Sequence, residues 1–270
     1  MRNQTKKYVT NNYKKIEGWF SKLALELISE INTIQINKNI KGSLCEIGVH
    51  HGRSFILLCL LSNDNEPCIA IDLFEDQHQN IDNSGCGDKN IFLRNLEKFN
   101  CNMDKVKIIT GNSMDIKPDG LLELSKNKFR FFTLDGGHTS EIVQNDLHLA
   151  ESVLCDGGVI LLDDYFDEKW PGVSEGALKY LLNSNSNLVP FAIFDDKILF
   201  TNSVAISSKY KSELIKLVPK YLIKEAKYFG ETCLVIYNSG NSVRNFLRKT
   251  YLWQIIKNNK TGKKIRSMIR

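Results

Sequence analysis

The sequence predicts an α/β fold, a doubly wound and mostly parallel sheet with an antiparallel hairpin at one edge and helical extensions at both ends. Three observations carry this. From residue 42 onward, five short runs rich in Ile, Val, Leu and Phe alternate with helical patterns. Each run is apolar on both faces, which suits parallel strands covered by helices on either side. After residue 185 the alternation stops, and two strand-like runs flank Asp195-Asp196, a hairpin turn.

Taken in order, residues 12–35 read as a helix with Ile16, Phe20, Leu23, Leu27 and Ile31 on one face. The strands are Ser43–Val49, Cys68–Phe74, Val106–Thr110, Phe129–Asp135 and Gly158–Asp163. Between them lie helices at Ser54–Ser62, Ile91–Asn100 and Ser140–Leu154, with a weak turn near Gly120–Ser125. The last helix is the clearest: Val143, Leu147, Ala150 and Leu154 form one stripe, and Thr139 or Ser140 can cap it. Five such units in a row imply right-handed crossovers within one sheet. Leu188–Phe194 and Lys197–Thr201 then form the hairpin, followed by a helical stretch Lys211–Tyr221, disturbed by Pro219, and an apolar run Thr232–Tyr237. With no internal repeat and no low-complexity linker, the chain divides into a helical extension (1–40), one α/β domain (41–240) and a tail (241–270).

Composition narrows the classes. Of 270 residues, 42% are hydrophobic and 25% charged, the balance of a globular protein. The longest apolar run, Phe55 to Leu61, is far short of the ~20 residues that span a bilayer, and no signal peptide opens the chain. Seven cysteines without a C-x-x-C pair argue against a disulfide framework and a structural zinc site, so a reducing, cytoplasmic setting is expected. The net charge of +5 is unevenly placed. Residues 241–270 hold nine basic residues and no acid, whereas 21–240 carries 22 basic against 30 acidic residues, a net of −8. An acidic body opposes a phosphate backbone, so nucleic acid is not an expected partner. Three readings of the basic tail stay open. It is a solvated helix, a contact with an acidic partner or a second copy of the chain, or an interfacial segment on the anionic inner membrane surface, since Phe246, Leu247, Tyr251, Trp253, Ile255 and Ile256 interleave with its Arg and Lys.

Two clusters carry chemistry. The first strand ends in Glu46-Ile47-Gly48-Val49-His50-His51-Gly52-Arg53-Ser54. Glycines at a first β-to-α turn let backbone approach a ligand, and the helix start behind them favours a carboxylate or phosphate. Asp72, at the end of the second strand, is placed to accept hydrogen bonds from two ribose hydroxyls. The Gly-x-Gly-x-x-Gly pattern of dinucleotide sites is absent, and Glu46 suits a cationic amino-acid ligand better than a pyrophosphate. In the second cluster, Leu134-Asp135-Gly136-Gly137-His138 and Leu161-Leu162-Asp163-Asp164 end the fourth and fifth strands at the same sheet edge. Carboxylates converging there call for a cation, and hard oxygen ligands select Mg²⁺ or a similar ion. His50, His51 and Arg53 in the glycine turn are further ligand candidates, whereas His148 reads as structural. The polar stretch 75–90 reads as a lid or substrate wall, with Gln77, His78 and Asp82 facing an acceptor, and Tyr165 and Trp170-Pro171-Gly172 as an aromatic wall.

With these residues in view, the chain resembles the class I S-adenosylmethionine-dependent methyltransferases, and more narrowly the catechol O-methyltransferase-like group with the related bacterial sugar and natural-product O-methyltransferases. The resemblance covers roughly residues 40–205 and implies a Rossmann-like fold. It implies that Glu46, Gly48, Gly52 and Ser54 hold the methionine part of the cofactor, that Asp72 takes the ribose, and that Ser113 and Met114 of Gly111-Asn112-Ser113-Met114-Asp115 line the adenine. It further implies a divalent cation on Asp135, Asp163 and Asp164, the third being Asp where relatives carry Asn, with Asp135 also at the cofactor and the reaction. His138 falls where those relatives place a lysine general base, and a histidine of near-neutral pKa can take that role. The expectation is therefore a cation-assisted O-methyltransferase acting on a hydroxyl of a saccharide or glycosylated small molecule, as a homo-oligomer. Two alternatives stand beside it: a nicotinamide-dependent oxidoreductase, and a non-catalytic scaffold on the same fold.

Overall fold

The computed structural model describes residues 3–183, 185–217 and 220–238; the basic tail and Pro219 lie outside the described residues. Nine strands form one sheet: β1 (Ser43–Ile47), β2 (Cys68–Asp72), β3 (Val106–Thr110), β4 (Phe129–Leu134), β5 (Leu154–Leu162), β6 (Val189–Phe194), β7 (Lys197–Thr201), β8 (Tyr221–Tyr228) and β9 (Glu231–Asn238). Their spatial order is β3-β2-β1-β4-β5-β7-β6-β9-β8. The five strands β1–β5 pair in parallel, and β7 joins β5 antiparallel with Leu162 opposite Ile198. The chain starts at β1, runs outward through β2 and β3, then returns to β4 on the other side of β1. That reversal leaves a crevice beyond the carboxyl ends of β1 and β4, where ligands bind in open α/β sheets.

The helices are α1 (Asn3–Thr10), α2 (Lys22–Asn37), α3 (Arg53–Leu61), α4 (Lys89–Lys98), α5 (Pro118–Ser125), α6 (Ser140–Val153), α7 (Pro171–Asn183) and α8 (Val204–Ile215). One apolar layer packs α2, α3 and α8 on one face of the sheet, and a second packs α6 and α7 on the other. Away from the crevice, Arg130 of β4 is buried with Glu66, to which it donates two hydrogen bonds of 2.9 Å, and with Gln35 at 2.7 Å. This ties α2 to the sheet.

Four local expectations are corrected. Residues 12–35 are not one helix: the chain leaves helical geometry at 16–21, between a 3₁₀ turn (Asn12–Lys15) and α2. Gly18 takes φ +147°, Ser21 caps α2 by accepting from Ala24 at 3.0 Å, and the Arg53 guanidinium donates to the carbonyls of Ile16 and Phe20 that a continuing helix would use. The weak turn at 120–125 is the C-terminal part of α5, which has Pro118 in its first turn. Helix α7, also opened by a proline, was not expected. The helical stretch expected over 211–221 begins earlier, behind the Ser203 cap, and Tyr221 starts the unexpected strand β8.

Candidate functional site

A cavity of about 510 Å³ opens at the crevice, within the size range of small-molecule sites. Gly48, His50, Asp72, Gly111, Asn112 and Ser113 line one part, and Asp135, His138, Asp163, Asp164 and Trp170 line another. The β1–α3 turn reaches it because Gly48 adopts φ +82° beside the carbonyl of Asp135, which would stand 1.7 Å from any Cβ there. Only glycine fits that crossing of two strand ends.

Asp72 receives the backbone N–H of His50 on one oxygen and of Phe74 on the other, both at 2.7 Å. Burial raises its pKa against backbone bonds from Phe74, His50 and Val49. The carboxylate faces the cavity, where it fits ribose hydroxyls. Ser113 also faces the cavity, and Asp146, buried beneath it, has its pKa raised by burial to about 6 against hydrogen bonds from Ser113 and Asn145.

Four expected cofactor residues do not line the cavity. Glu46 lies within β1 between Ala70 and Thr133 of the flanking strands, is fully buried, and accepts the hydroxyl of Ser54. Burial pushes its carboxyl up to about 8, and its second oxygen has no hydrogen-bond partner. Ser54 is buried in the first turn of α3, and Gly52 is packed 2.9 Å from the Phe92 ring at the Cβ position. Met114 points to solvent with 40% of its surface exposed. The Glu46–Ser54 pair therefore supports the turn from below, and the unpartnered oxygen leaves room for one buried donor.

The acidic cluster is built differently from three converging carboxylates. Asp163 is buried and ion-paired with Lys197 of β7, and also accepts the Asp164 N–H at 2.7 Å. Burial raises its pKa to about 6 even beside that ammonium. Lys197, itself 4% exposed, lies 2.7 Å from Asp196 and 4.9 Å from the Phe20 ring centre. Burial would lower its pKa, but Asp163 and Asp196 hold it charged. Ligand atoms of Asp135, His138 and Asp164 lie within 4.8 Å of one another, as do those of Asp163, Asp164 and Asp196. Burial and the charges of Asp163 and Asp164 raise the Asp135 pKa well above the carboxylate range. Asp135 and Asp164 thus fit a hydrated divalent cation, while the charge on Asp163 is matched by Lys197, a residue the sequence reading missed.

His138 is held from both ends. Its Nδ1 lies 2.9 Å from Asp82 and its Nε2 3.0 Å from Asp164, and its ring stacks on Trp170 at 4.1 Å. Burial works to lower its pKa, but the bonds to Asp164 and Asp82 outweigh it and raise the pKa to about 9. The pKa thus stands above the near-neutral value expected, and Asp164, 3.0 Å from Nε2, shares the position at which a proton would be taken.

Other expectations divide. Trp170 and Gln77 reach the cavity, as do Trp19 and Ile81, which the sequence reading did not single out. Tyr165 is a buried plug hydrogen-bonded to Tyr228. His78 is exposed on its loop. His51 lies 3.3 Å from Glu17 beneath the N-terminal segment, and Arg53 is spent on that segment's carbonyls.

Residues 45–165 match the sequence profile of a family described as a methyltransferase domain. A search of curated proteins found no match to this chain. Among solved structures, the O-methyltransferase NovP is 15% identical with a TM-score of 0.56, over 69% of this chain and 83% of its own. The apo structure of CalS11, a TDP-rhamnose 3'-O-methyltransferase of calicheamicin biosynthesis, is 15% identical with a TM-score of 0.51, over 74% of this chain and 88% of its own. These two share the fold. The profile match sets the oxidoreductase alternative aside, because it covers the glycine turn, Asp72 and the acidic strand ends together. Residues 45–165 thus match a methyltransferase domain, and they lie on a Rossmann-like α/β sheet of the kind that NovP and CalS11 share.

Proposed function

We propose that the protein transfers the methyl group of S-adenosylmethionine to a hydroxyl oxygen of a saccharide or glycosylated small molecule, with a divalent cation assisting. The observation that carries this is the continuity of one cavity from Asp72 to the Asp135–His138–Asp164 group. A cofactor whose ribose lies on Asp72 and whose nucleoside runs past Ser113 leaves the acidic part of the cavity for the acceptor. Methyl transfer is a direct displacement: the O–CH₃ bond forms as the S–CH₃ bond breaks, and S-adenosylhomocysteine leaves. The protein's work is alignment and removal of the hydroxyl proton. The Asp164–His138 pair takes that proton, while Asp82 keeps the Nδ1 proton in place. A cation on Asp135 and Asp164, when bound, supplies charge that makes the hydroxyl more acidic. Trp170, half-exposed and stacked on His138, offers a flat apolar wall for a sugar ring. The description of CalS11 as a TDP-rhamnose methyltransferase supports a sugar hydroxyl as acceptor.

The test uses labelled S-adenosylmethionine with a panel of saccharides that includes TDP-rhamnose. A methyl ether is the expected product, lost with chelator and restored by Mg²⁺; full activity in excess chelator removes the cation. Asp72→Ala is expected to weaken S-adenosylhomocysteine binding about 10–100-fold by calorimetry, the worth of charged hydrogen bonds. Unchanged affinity would contradict the ribose assignment.

A further inference from the structure

The connection between β2 and α4 is long for a β-to-α loop, and one of its residues fastens it across the cavity. Asp82 Oδ2 accepts the backbone N–H of His138 at 2.6 Å and lies 2.9 Å from its ring Nδ1. The other oxygen of Asp82 accepts the N–H of Ser84 at 3.0 Å and its hydroxyl at 2.6 Å, so the carboxylate is braced from behind. Asn80 holds the same loop closed by donating to the Ser84 carbonyl at 2.6 Å and to Gln77 at 2.8 Å. The His138 ring is therefore fixed in plane by Trp170, 15° from parallel, and in rotation by Asp82. Its other nitrogen, Nε2, lies 3.0 Å from Asp164 at the cavity wall, so the orientation set at Nδ1 decides where Nε2 points.

We propose that Asp82 is a positioning residue: it holds the Nδ1–H of His138, aims Nε2 toward the acceptor, and makes that aim conditional on the 73–88 segment being closed. The aim rests on the methyl-transfer reading given above; the fastening does not. Gln77, Asn80, Ile81 and Ser84 of this segment also line the cavity, so the wall that contacts the acceptor and the carboxylate that orients the histidine move as one piece. An open segment leaves His138 without its orienting partner.

The test uses the full-length, ligand-free protein. By ¹⁵N-histidine NMR, wild type shows a hydrogen-bonded Nδ1–H on His138, assigned by its disappearance in His138→Ala and absent in Asp82→Ala. By hydrogen-exchange mass spectrometry, amides 77–85 exchange about 10–100-fold faster in Asp82→Ala and, to a smaller extent, faster in His138→Ala, which keeps the backbone N–H donated to Asp82; the double variant is no faster than Asp82→Ala. If Asp82 only braces Ser84, His138→Ala leaves the loop's exchange unchanged. That result, or a retained Nδ1–H signal in Asp82→Ala, overturns the proposal. Asp82→Asn and His138→Gln give the same comparison should an alanine variant not fold. S-adenosylhomocysteine binding is measured in parallel on wild type: its absence would count against the methyl-transfer reading and leave the loop result to decide on the fastening alone.

Discussion

Lys197 is buried, and its ammonium sits between Asp163 and Asp196 with an aromatic ring beside it. Breaking a buried ion pair by removing one partner leaves the other charge uncompensated, which costs about 3–5 kcal/mol. Lys197→Met is expected to lose about that much in urea denaturation, and adding Asp163→Asn to the same chain should recover most of it, because neither charge is then left alone. A double variant no more stable than the single one would show that Lys197 acts through packing on Phe20 instead. Asp163 and Asp164 were legible as a pair at a strand end. Lys197 was not, because it comes from a strand that reaches them only through the antiparallel register of β5 with β7. Asp82 was singled out with Gln77 and His78 as facing an acceptor, but its pairing with His138 was not legible, since that partner lies 56 positions away and nothing local marks it.

The five parallel strands and the long helix α6 were legible because burial on both faces, or on one stripe, leaves a period in the chain. The break at 16–21 was not, because Ile16 and Phe20 remain buried on either side of it and keep the helical spacing. What ends the helix is tertiary: Arg53 donates to Ile16 at 2.9 and 2.6 Å and to Phe20 at 3.4 Å. Strand β8 was hidden for the opposite reason. It is an edge strand with alternating exposure and Lys224, Glu225 and Lys227, so it carries little apolar signal. The 16–21 segment holds Trp19, 70% exposed, against His50 at 5.1 Å and over the cavity. Arg53→Ala is expected to cost about 1–3 kcal/mol, since it leaves two carbonyls without their donors. It should also change the emission of Trp19 through loss of its contact with His50, with Trp19→Phe identifying the signal. Emission identical to wild type would mean that the segment is held by Ile16 and Phe20 alone.

Among the described residues, several acids of the net-acidic 21–240 stretch lie at or beneath the ends of strands β1, β4 and β5, and some of them are inside. Burial raises Glu46 to about 8, Asp146 and Asp163 to about 6, and Asp135 in the same direction. A carboxyl raised on folding binds its proton more tightly in the native state, so stability falls as pH rises from its unfolded value near 4 through its folded one. His138, raised to about 9, adds to the same trend: its contribution is full below about 6.5 and is lost as pH climbs through 9. Glu66 and Asp82 oppose them. Burial acts to raise both, but Arg130 holds Glu66 down and His138 with Ser84 holds Asp82 down, so their contribution is present above about pH 4 and fades below it. Stability is therefore expected to peak near pH 5 and to decline toward pH 8–9, although the ordinary optimum spans about 5–8. Glu46→Gln isolates one of these groups, because an amide of the same shape can keep the Ser54 contact without titrating. Urea denaturation at pH 5, 6.5 and 8 should show the decline of wild type reduced by about 2–4 kcal/mol in this variant. Parallel curves would mean that Glu46 ionises near its ordinary value, and that water or a cation reaches the unpartnered oxygen beneath the glycine turn.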